Sequence, residues 1–535
     1  MAGVRSADGP RVRPPAEGAH RPAIVIGAGV AGLATAALLG AEGWDVTVLE
    51  ARDEVGGRAG TWERDGFVFD TGPSWYLMPD VFEHFFRLLE TTAAEQLDLV
   101  RLDPAYRVYG PPGTGDPIDV VSGRDAATAL FERLEPGAGA ALGAYLDSAA
   151  DAYELAVSRF LYDTYSTTAG LRDPALLKRL PRLAPLLTRS LADHVERRFD
   201  HPRLRQILGY PAVFLGTSPY AVPSLYHLMS HLDLADGVLY PRGGFNEVVR
   251  ALERLATEQG AVIETGARVA HITTTDAAAT GVRLADGRRL DADLVVSTAD
   301  LHRTETELLP PSLQTYPEQW WTKRTPSPGA LLLLLGVVGE LPQLAHHTLL
   351  FTDDWRANFA DVFGGAARIP HPASLYVCRP SATDPTVAPA GHENLFVLVP
   401  VPAEPELGRG GVDGAGDPAI EAAADRVIEQ ISSWGGIPDL ADRIVVRRTI
   451  GPGDFAAEFG AWRGNALGLA HTLRQSAVFR PRTTSRKVSG LAYAGASVLP
   501  GIGVPMCLIS AELVVKGLRG DRSPGPLAEP ASVEA

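Results

Sequence analysis

The stretch from Ala23 to Glu50 constrains the fold more than any other part of this 535-residue chain. Ala23 to Ile26 (AIVI) is a short, wholly apolar run with the composition of a buried parallel strand. Gly27-Ala28-Gly29-Val30-Ala31-Gly32 follows at once. A segment of helical composition (LATAALLGAEG) comes next, then a second apolar strand, Val46 to Leu49, ending in Glu50. Each glycine has its own task in such a β-turn-α-β unit. Gly27 permits the tight turn, Gly29 lets main chain approach a pyrophosphate, and Gly32 lets the helix pack closely on the strand. The helix N-terminus offers unpaired N–H groups and a positive dipole end to phosphate. Glu50 stands where a carboxylate can accept the hydroxyls of an adenosine ribose. A glycine-rich surface turn would explain GxGxxG alone, but not strand, helix, second strand and terminal acid together. The acid points to adenosine without a 2′-phosphate, so FAD or NAD rather than NADP.

The following residues choose between them by resemblance. Glu50-Ala51-Arg52 runs into Gly56-Gly57-Arg58-Ala59-Gly60-Thr61, which resembles the signature after the ribose-binding acid in FAD-binding amine oxidases and carotenoid desaturases. Gly57 would allow backbone approach, and Arg58 would place a positive charge near the phosphates; a surface salt bridge is the alternative reading of Arg58. Phe69-Asp70-Thr71-Gly72-Pro73-Ser74-Trp75 resembles a segment that lies near the flavin ring in those enzymes, which implies that place for Gly72, Pro73 and Ser74. Further on, Pro241-Arg242-Gly243-Gly244-Phe245-Asn246 precedes a helix with Val248, Ala251, Leu252 and Leu255 on one face. A strand at Val262–Thr265 follows. The resemblance then brings Val269 to the adenine side of FAD. A hairpin is expected from Val282 to Leu290 around Asp286-Gly287, and another buried strand at Leu294–Thr298.

Between these parts, roughly 106–236, the chain is rich in Leu, Ala, Arg and Pro and reads as helical. Lys178 to Arg205 holds eight basic residues against three acids, on a chain of net charge -15. Leu176, Leu180, Leu183 and Leu187 keep helical spacing, although Pro181 and Pro185 break or kink a single helix. A solvated face over an ordinary core and a basic face lying on an anionic membrane are both open; a lipid-soluble substrate would favour the membrane. The overall acidity argues against nucleic acid as a partner. Cys378 and Cys507 lie far apart and outside any CxxC, so no disulfide framework or zinc site is built from that pair, and both read as buried free thiols. Residues 1–21 lack the apolar stretch of a signal peptide and read as a disordered lead, and 519–535 as a disordered tail. The nearest thing to a spanning segment, Leu491 to Ala511, is interrupted by Gly495, Pro500, Gly501, Gly503 and Pro505.

The C-terminal half narrows the family. Leu331 to Leu335 fits a central strand. His346-His347-Thr348-Leu349-Leu350-Phe351, Asp353-Asp354-Trp355, Ser374-Leu375-Tyr376-Val377 and Arg379-Pro380-Ser381 resemble bacterial-type phytoene desaturases. So do Asp384-Pro385, the run from Ala388 to Leu395, and Phe479-Arg480-Pro481-Arg482. The stretch from Leu491 to Ser497, followed by Pro500-Gly501-Ile502-Gly503-Val504-Pro505, resembles the family's closing flavin motif, implying flavin contacts for Gly495, Gly503, Val504 and Pro505. Here the chain departs from many relatives with Ala496-Ser497-Val498-Leu499 and with Met506-Cys507. The helix after it (LISAELVVKGL) would turn its N-terminus to the flavin, favouring an anionic reduced ring.

The resemblance implies an α/β architecture: a discontinuous Rossmann-type FAD-binding domain (22–105, 237–305 and 480–518), a β-sheet substrate-binding domain (306–479) and a helical, substrate- or membrane-facing region (106–236). It implies desaturation of a polyene hydrocarbon such as phytoene, towards lycopene, by hydride transfer to FAD within an apolar tunnel. With a single dinucleotide fingerprint, electrons would leave for a quinone or oxygen. The expected location is the cytoplasmic side of a membrane, in peripheral contact. His346 and His347 are acid/base candidates, or a strand-edge pair that packs; Asp147 and Asp151 are proton acceptors, or a solvated helix face. No catalytic group is assigned and no metal is expected. The rival readings are a carotenoid isomerase, a ketolase or a retinol-saturase-like enzyme, and more distantly an amine oxidase or a non-catalytic flavin-fold binding protein.

Overall fold

The computed structural model describes residues 21–166, 179, 183–365 and 368–530. Its two main sheets follow directly from the apolar runs. In the first, β1 (Pro22–Ile26) lies at the centre between β2 (Asp45–Leu49) and β6 (Leu294–Ser297). The flanking strands are β5 (Val262–Glu264) beside β2 and β12 (Leu491–Tyr493) beside β6. All four pairings are parallel. Such strands are apolar throughout because both faces are covered. Val25 and Val296 face helices α1 (Val30–Ala41), α3 (Asn246–Glu258) and α5 (Val504–Arg519). Ile24, Ile26 and Val295 face an antiparallel three-stranded sheet formed by Val269–Thr275, Ala278–Leu284 and Arg289–Asp291. The turn at Asp286-Gly287 pairs Val282 with Leu290. Val248, Ala251, Leu252 and Leu255 are all buried on the inner face of α3.

The second sheet has seven strands. Its order is β11 (Ile444–Ile450), β7 (Gly329–Val338), β10 (His392–Val401), β9 (Leu375–Cys378), β8 (His347–Leu350), β3 (Tyr106–Tyr109) and β4 (Ile118–Val120). The leucine run lies in β7 and is uninterrupted because each face is a core of its own. Leu331, Leu333 and Leu335 pack with the helix Pro418–Gly435, and Leu332 and Leu334 point the other way. Here the sequence reading of 106–236 as helical needs correction. Residues 106–109 and 118–120 are strands, recruited by parallel pairing of β3 with β8, where Arg107 stands opposite Thr348. Strands of four and three residues carry no periodicity to read.

The helical expectation holds beyond them, in Arg124–Leu134, α2 (Ala138–Ala156), Leu191–Glu196 and Pro202–Gly209. Leu176, Lys178, Leu180, Pro181 and Arg182 lie outside the described residues. The rest of the basic segment does not form one outward stripe. Arg203 is buried and donates to the Thr114 hydroxyl, Arg205 donates to the Phe199 carbonyl and pairs with Asp200, and Arg179 pairs with Asp151. Between β8 and β9 the chain inserts α4 (Trp355–Phe363), capped by the Asp354 side chain.

The tail also departs from expectation. Residues 520–530 return along α5: Lys516 is fully buried and donates to the carbonyl of Ser523, and the Leu527 N–H donates to Glu512. His84 sits between Glu512 and Glu529. Proline, glycine and serine in this segment suggested disorder, but its main-chain groups are held by two buried charges of α5. Residues 1–20 and 531–535 lie outside the described part.

Candidate functional site

A single continuous cavity of about 810 Å³ runs from the loops after β1 and β2 into the space between the seven-stranded sheet and the helical region. Its first part is built almost wholly of main chain. Gly27 turns the chain at φ +99°, and the N-terminus of α1 opens on the cavity through Gly29, Val30 and Ala31. At Gly29 an added Cβ would find nothing nearer than 3.8 Å, so the space in front of it is open. Gly32 does not line the cavity. A Cβ there would stand 1.9 Å from the Gly27 carbonyl oxygen, so this glycine serves the packing of helix against turn and leaves ligand contact to its neighbours. All the other expected cofactor residues line the one cavity: Gly27, Gly29, Glu50, Ala51, Arg52, Gly57, Arg58, Ala59, Gly72, Pro73, Ser74, Val269, Gly495, Gly503, Val504 and Pro505.

Glu50 is buried. One carboxylate oxygen accepts the Ala28 N–H at 2.8 Å and the other the Arg52 N–H at 2.9 Å. Both oxygens keep a further lone pair, the arrangement a ribose diol requires. Val269 is brought in by the chain after β5, where Ala267 donates to the Glu50 carbonyl and Gly266 to that of Arg52. Arg58 Nε and Nη2 are buried without a hydrogen-bond partner, and the nearest carboxylate, Asp300, is 3.9 Å away. Burial pulls the guanidinium below its ordinary pKa, and Asp300 partly opposes this. An unsatisfied buried cation beside two helix N-termini, those of α1 and α5, fits an anionic dinucleotide. The residues present therefore fit FAD. Cys507, expected to be buried, instead faces this cavity near Arg58 at the start of α5; its thiol is pushed up to about 12 by desolvation.

The closing loop is held from behind by Arg480, which lies in a family-like motif, and by Tyr226, His471 and Ser476, which motif reading did not single out. Burial keeps His471 neutral, its pKa held well below the ordinary value. The Ile502 N–H donates to His471 Nε2 at 3.1 Å, which leaves Nδ1–H to donate to the Tyr226 hydroxyl at 2.7 Å. Tyr226 donates in turn to Ser476. Gly501 is forced by this packing, since a Cβ would meet the His471 ring at 2.3 Å. Arg480, fully buried, donates to the carbonyls of Leu469, Gln475, Ala496 and Val498. These contacts join parts of the chain up to 250 residues apart, so no local pattern announces them.

The second part of the cavity is apolar. Leu332, Leu349, Phe351, Phe396 and Leu398 of the sheet face Ala152, Leu155, Val213, Phe214 and Met229 of the helical region. Trp75 lines it and stacks on His347 at 4.3 Å between ring centroids. The histidine pair stands one layer back. His347 Nδ1 meets the Tyr376 hydroxyl at 2.7 Å, and that hydroxyl also meets Ser74 at 2.7 Å; His346 Nδ1 meets Thr383. Burial drives His346 down to about 3 and His347 far below its ordinary value. Neither reaches the cavity, so both pack and brace and are not placed to exchange protons with a ligand. Strand register sets Cys378 directly across from His347, and one donor atom from each of His346, His347 and Cys378 lies within 4.8 Å of the others, a grouping the cysteine spacing did not suggest. Asp147 and Asp151 are exposed and paired with Arg124 and Arg179, which makes them a solvated face.

The desaturase-like motifs of the C-terminal half serve mostly as braces. Asp384 accepts the Gly243 N–H, and Asp70 accepts those of Phe245 and Asn246, so two carboxylates grip the glycine turn before α3. Arg379 pairs with Glu393 at 2.7 Å, and Ser381 bonds the same carboxylate. Leu349, Phe351, Trp355, Ser374, Leu375, Tyr376 and Phe479 are the members of those motifs, ahead of the closing one, that touch the cavity. Where the cavity reaches the surface, Leu187, Leu473 and Phe479 line it and are at the same time 36%, 45% and 61% exposed. Among the described residues no helix is long and apolar enough to cross a membrane.

Residues 30–518 match the family described as flavin containing amine oxidoreductase. The chain is 42% identical over 497 residues to a carotenoid 3,4-desaturase of Haloarcula japonica, covering 93% of this chain and 98% of that protein. It is 37% identical to a zeta-carotene-forming phytoene desaturase of Myxococcus xanthus, covering 92% and 93%. Among solved structures, an oxidoreductase from Methanosarcina mazei superposes with a TM-score of 0.60 at 19% identity (92% of this chain, 100% of that one). Putrescine oxidase superposes with a TM-score of 0.59 at 17% identity (94% and 98%). At such identities the structural likeness speaks for the fold.

Proposed function

The chain belongs to the flavin containing amine oxidoreductase family, in its carotenoid-desaturase branch, and we propose on that premise that it removes two hydrogens from adjacent carbons of a long polyene. It is an FAD-dependent oxidoreductase acting on CH–CH groups. The observation that carries the substrate reading is the continuity of the cavity: the part fitted to the dinucleotide opens, between Ser74 and the closing loop, into a long space walled by leucine and aromatic side chains.

Bound FAD supplies a hydride acceptor there; the second hydrogen leaves the substrate as a proton. The protein's share is placement. Glu50 and Arg58 hold the adenosine and phosphate parts by hydrogen bonding and charge. The Tyr226–His471 pair and Arg480 fix the loop Gly495 to Gly503 against the ring's place, and the apolar wall aligns the polyene and excludes water. Electrons then pass to a quinone or oxygen, a reading supported by the one dinucleotide fingerprint in the sequence.

The polyene would enter from a membrane surface at Leu187, Leu473 and Phe479, with exposed Arg189 and Arg474 beside them for anionic headgroups. What supports this is a mouth that is apolar both outside and within; the basic stripe of the sequence reading contributes less, its arginines being partly turned inward.

Anaerobic mixing of the FAD-loaded enzyme with C40 polyenes in vesicles tests the reaction. The expected result is bleaching of the flavin band with a red-shifted polyene product. A flavin bleached by amines and not by polyenes, or a polyene product with an unchanged double-bond count, would overturn it.

A further inference from the structure

One buried cluster, a layer behind the cavity wall, carries more ligating capacity than packing requires. His346, His347 and, across the strand pair from His347, Cys378 are 5%, 0% and 3% exposed. The two imidazole centroids are 4.6 Å apart, and one donor atom from each of the three side chains lies within 4.8 Å of the others. Each ring is held through Nδ1 by a hydroxyl, His346 by Thr383 at 2.8 Å and His347 by Tyr376 at 2.7 Å. Both Nε2 atoms are buried and have no hydrogen-bond partner. Whichever tautomer the rings adopt, packing alone leaves a polar group bare: a lone pair if Nδ1 carries the proton, an N–H if Nε2 does. A cation satisfies the first case. Metal-ligating histidines are oriented in this way, by a hydrogen bond from the nitrogen opposite the ion.

The donor set also selects the ion. Two neutral imidazoles and one thiolate suit Cu(I) or Zn(II), and not magnesium or calcium. Among the described residues the cluster includes no carboxylate. A thiolate and Cu(I) cancel in charge, whereas Zn(II) would leave a positive charge in a buried place. The acids that act on the cluster, Asp70 on Cys378 and Asp384 on His346, are engaged by main-chain N–H groups of the turn 243–246, and Arg379 adds positive charge beside His346. In a trigonal plane, bonds of about 2.0 Å to nitrogen and about 2.3 Å to sulfur set the donor atoms about 3.5–3.7 Å apart, so side-chain shifts of about 1 Å close the site.

We propose that His346, His347 and Cys378 bind one Cu(I) ion, at a site separate from the flavin cavity. The Cys378 proton leaves for solvent as the copper–sulfur bond forms, with no change of oxidation state. The ion staples β8 to β9 beneath the ring on which Trp75 stacks, and so stiffens the cavity wall at Ser74 and Trp75. The inference does not depend on the polyene reading.

The test uses the FAD-loaded full chain without a metal-binding tag, produced in medium supplemented with copper and zinc together, so that the ion can enter during folding, and purified anaerobically with a thiol reductant. Elemental analysis should give about one copper per chain and little zinc. X-ray absorption at the copper edge should show one sulfur at about 2.3 Å and two nitrogens at about 2.0 Å. Cys378→Ala should keep its flavin and lose nearly all the copper, and with it any thermal stabilisation that copper gives the wild type. Wild-type protein free of copper, or holding zinc in its place, would overturn the proposal. So would copper bound without sulfur, the outcome of adventitious binding at surface histidines, and copper retained in full by Cys378→Ala. The absorption spectrum is read on the wild type, so it decides the matter even where the variant does not fold.

Discussion

The two parts of the cavity are walled in different ways. The dinucleotide part is lined largely by main chain and glycines, with charged side chains including Glu50, Arg52 and Arg58, drawn from the turns after β1, β2 and β5 and from the closing loop. Around the polyene part, the wall is made of side chains from the second sheet, the helical region, α4 and the segment 455–479, each contributing a few atoms. The first part binds by groups that cannot be exchanged for others; the second by area, which many side chains can supply. A substitution in the first part should therefore act sharply and through one atom. One in the second should act gradually, except where a polar group is buried.

The sharpest way to break that comparison is at the glycines. Gly32→Ala would force a methyl to within 1.9 Å of the Gly27 carbonyl, against backbone that cannot yield, and is expected to abolish soluble flavin-bearing protein. Gly29→Ala meets no protein atom closer than 3.8 Å and should fold, yet lose retained flavin, because the space it fills is the ligand's. Expression yield with the ratio of flavin to protein absorbance separates the two. A Gly29→Ala protein that keeps full flavin would end the assignment of this turn to the phosphates.

A middle-sized effect is expected at Asp233, the buried acid of the apolar part. Tyr106 and Tyr210 both donate to its Oδ2, Oδ1 has no partner, and burial pushes the carboxyl up to about 7. In the unfolded chain the group ionises near its ordinary value. Between about pH 4 and pH 7 the folded state therefore holds the extra proton, and this group's contribution to stability falls as pH rises. Asp233→Asn, which cannot ionise, should gain on the wild type by roughly 1 kcal/mol for each pH unit in that window. Denaturant unfolding at pH 5 and pH 7 reads the difference; a gap that does not widen with pH would show that the carboxyl is ionised in the fold.

The smallest effect on the fold belongs to the mouth. Phe479→Asp should change stability by no more than about 0.5 kcal/mol, since the ring is 61% exposed, while reducing co-sedimentation with anionic vesicles. Unchanged sedimentation would move the membrane contact elsewhere on the surface.

The same contrast explains what could be read in advance. Gly27, Gly29 and Glu50 were legible because their neighbours in space are their neighbours in sequence; Arg58 was legible through resemblance. Gly495, Gly503 and Val269 were legible through resemblance. Tyr226 and His471 meet across 245 residues, and Trp75 stacks on a histidine far along the chain, His347, so nothing local marked them. The histidine pair attracted attention as reactive chemistry, but its buried, neutral rings fill space behind Trp75. Strands β3 and β4 were hidden inside a stretch of helical composition because four and three residues show no periodicity; β3 is completed by pairing with β8, and β4 by pairing with β3. Residues 520–530 read as a loose end because the groups that tie them down, Lys516 and Glu512, lie earlier in α5.

The parallel order β12-β6-β1-β2-β5 has a consequence for how the protein is made. The strand that completes the nucleotide sheet, Leu491–Tyr493, leaves the ribosome long after the other four strands of that sheet, at a synthesis rate of about 5–20 residues per second. Until it docks on β6, the loop from Gly495 to Gly503 has no fixed place, and the α5 N-terminus cannot face the phosphates. The oily compartment, by contrast, can collapse earlier, around β3 and the strands that follow. Capture of the flavin thus waits until synthesis has passed Gly503, and a nascent chain stalled before residue 491 would expose an empty greasy trough to the cell, a species for chaperones to hold or for membranes to adsorb.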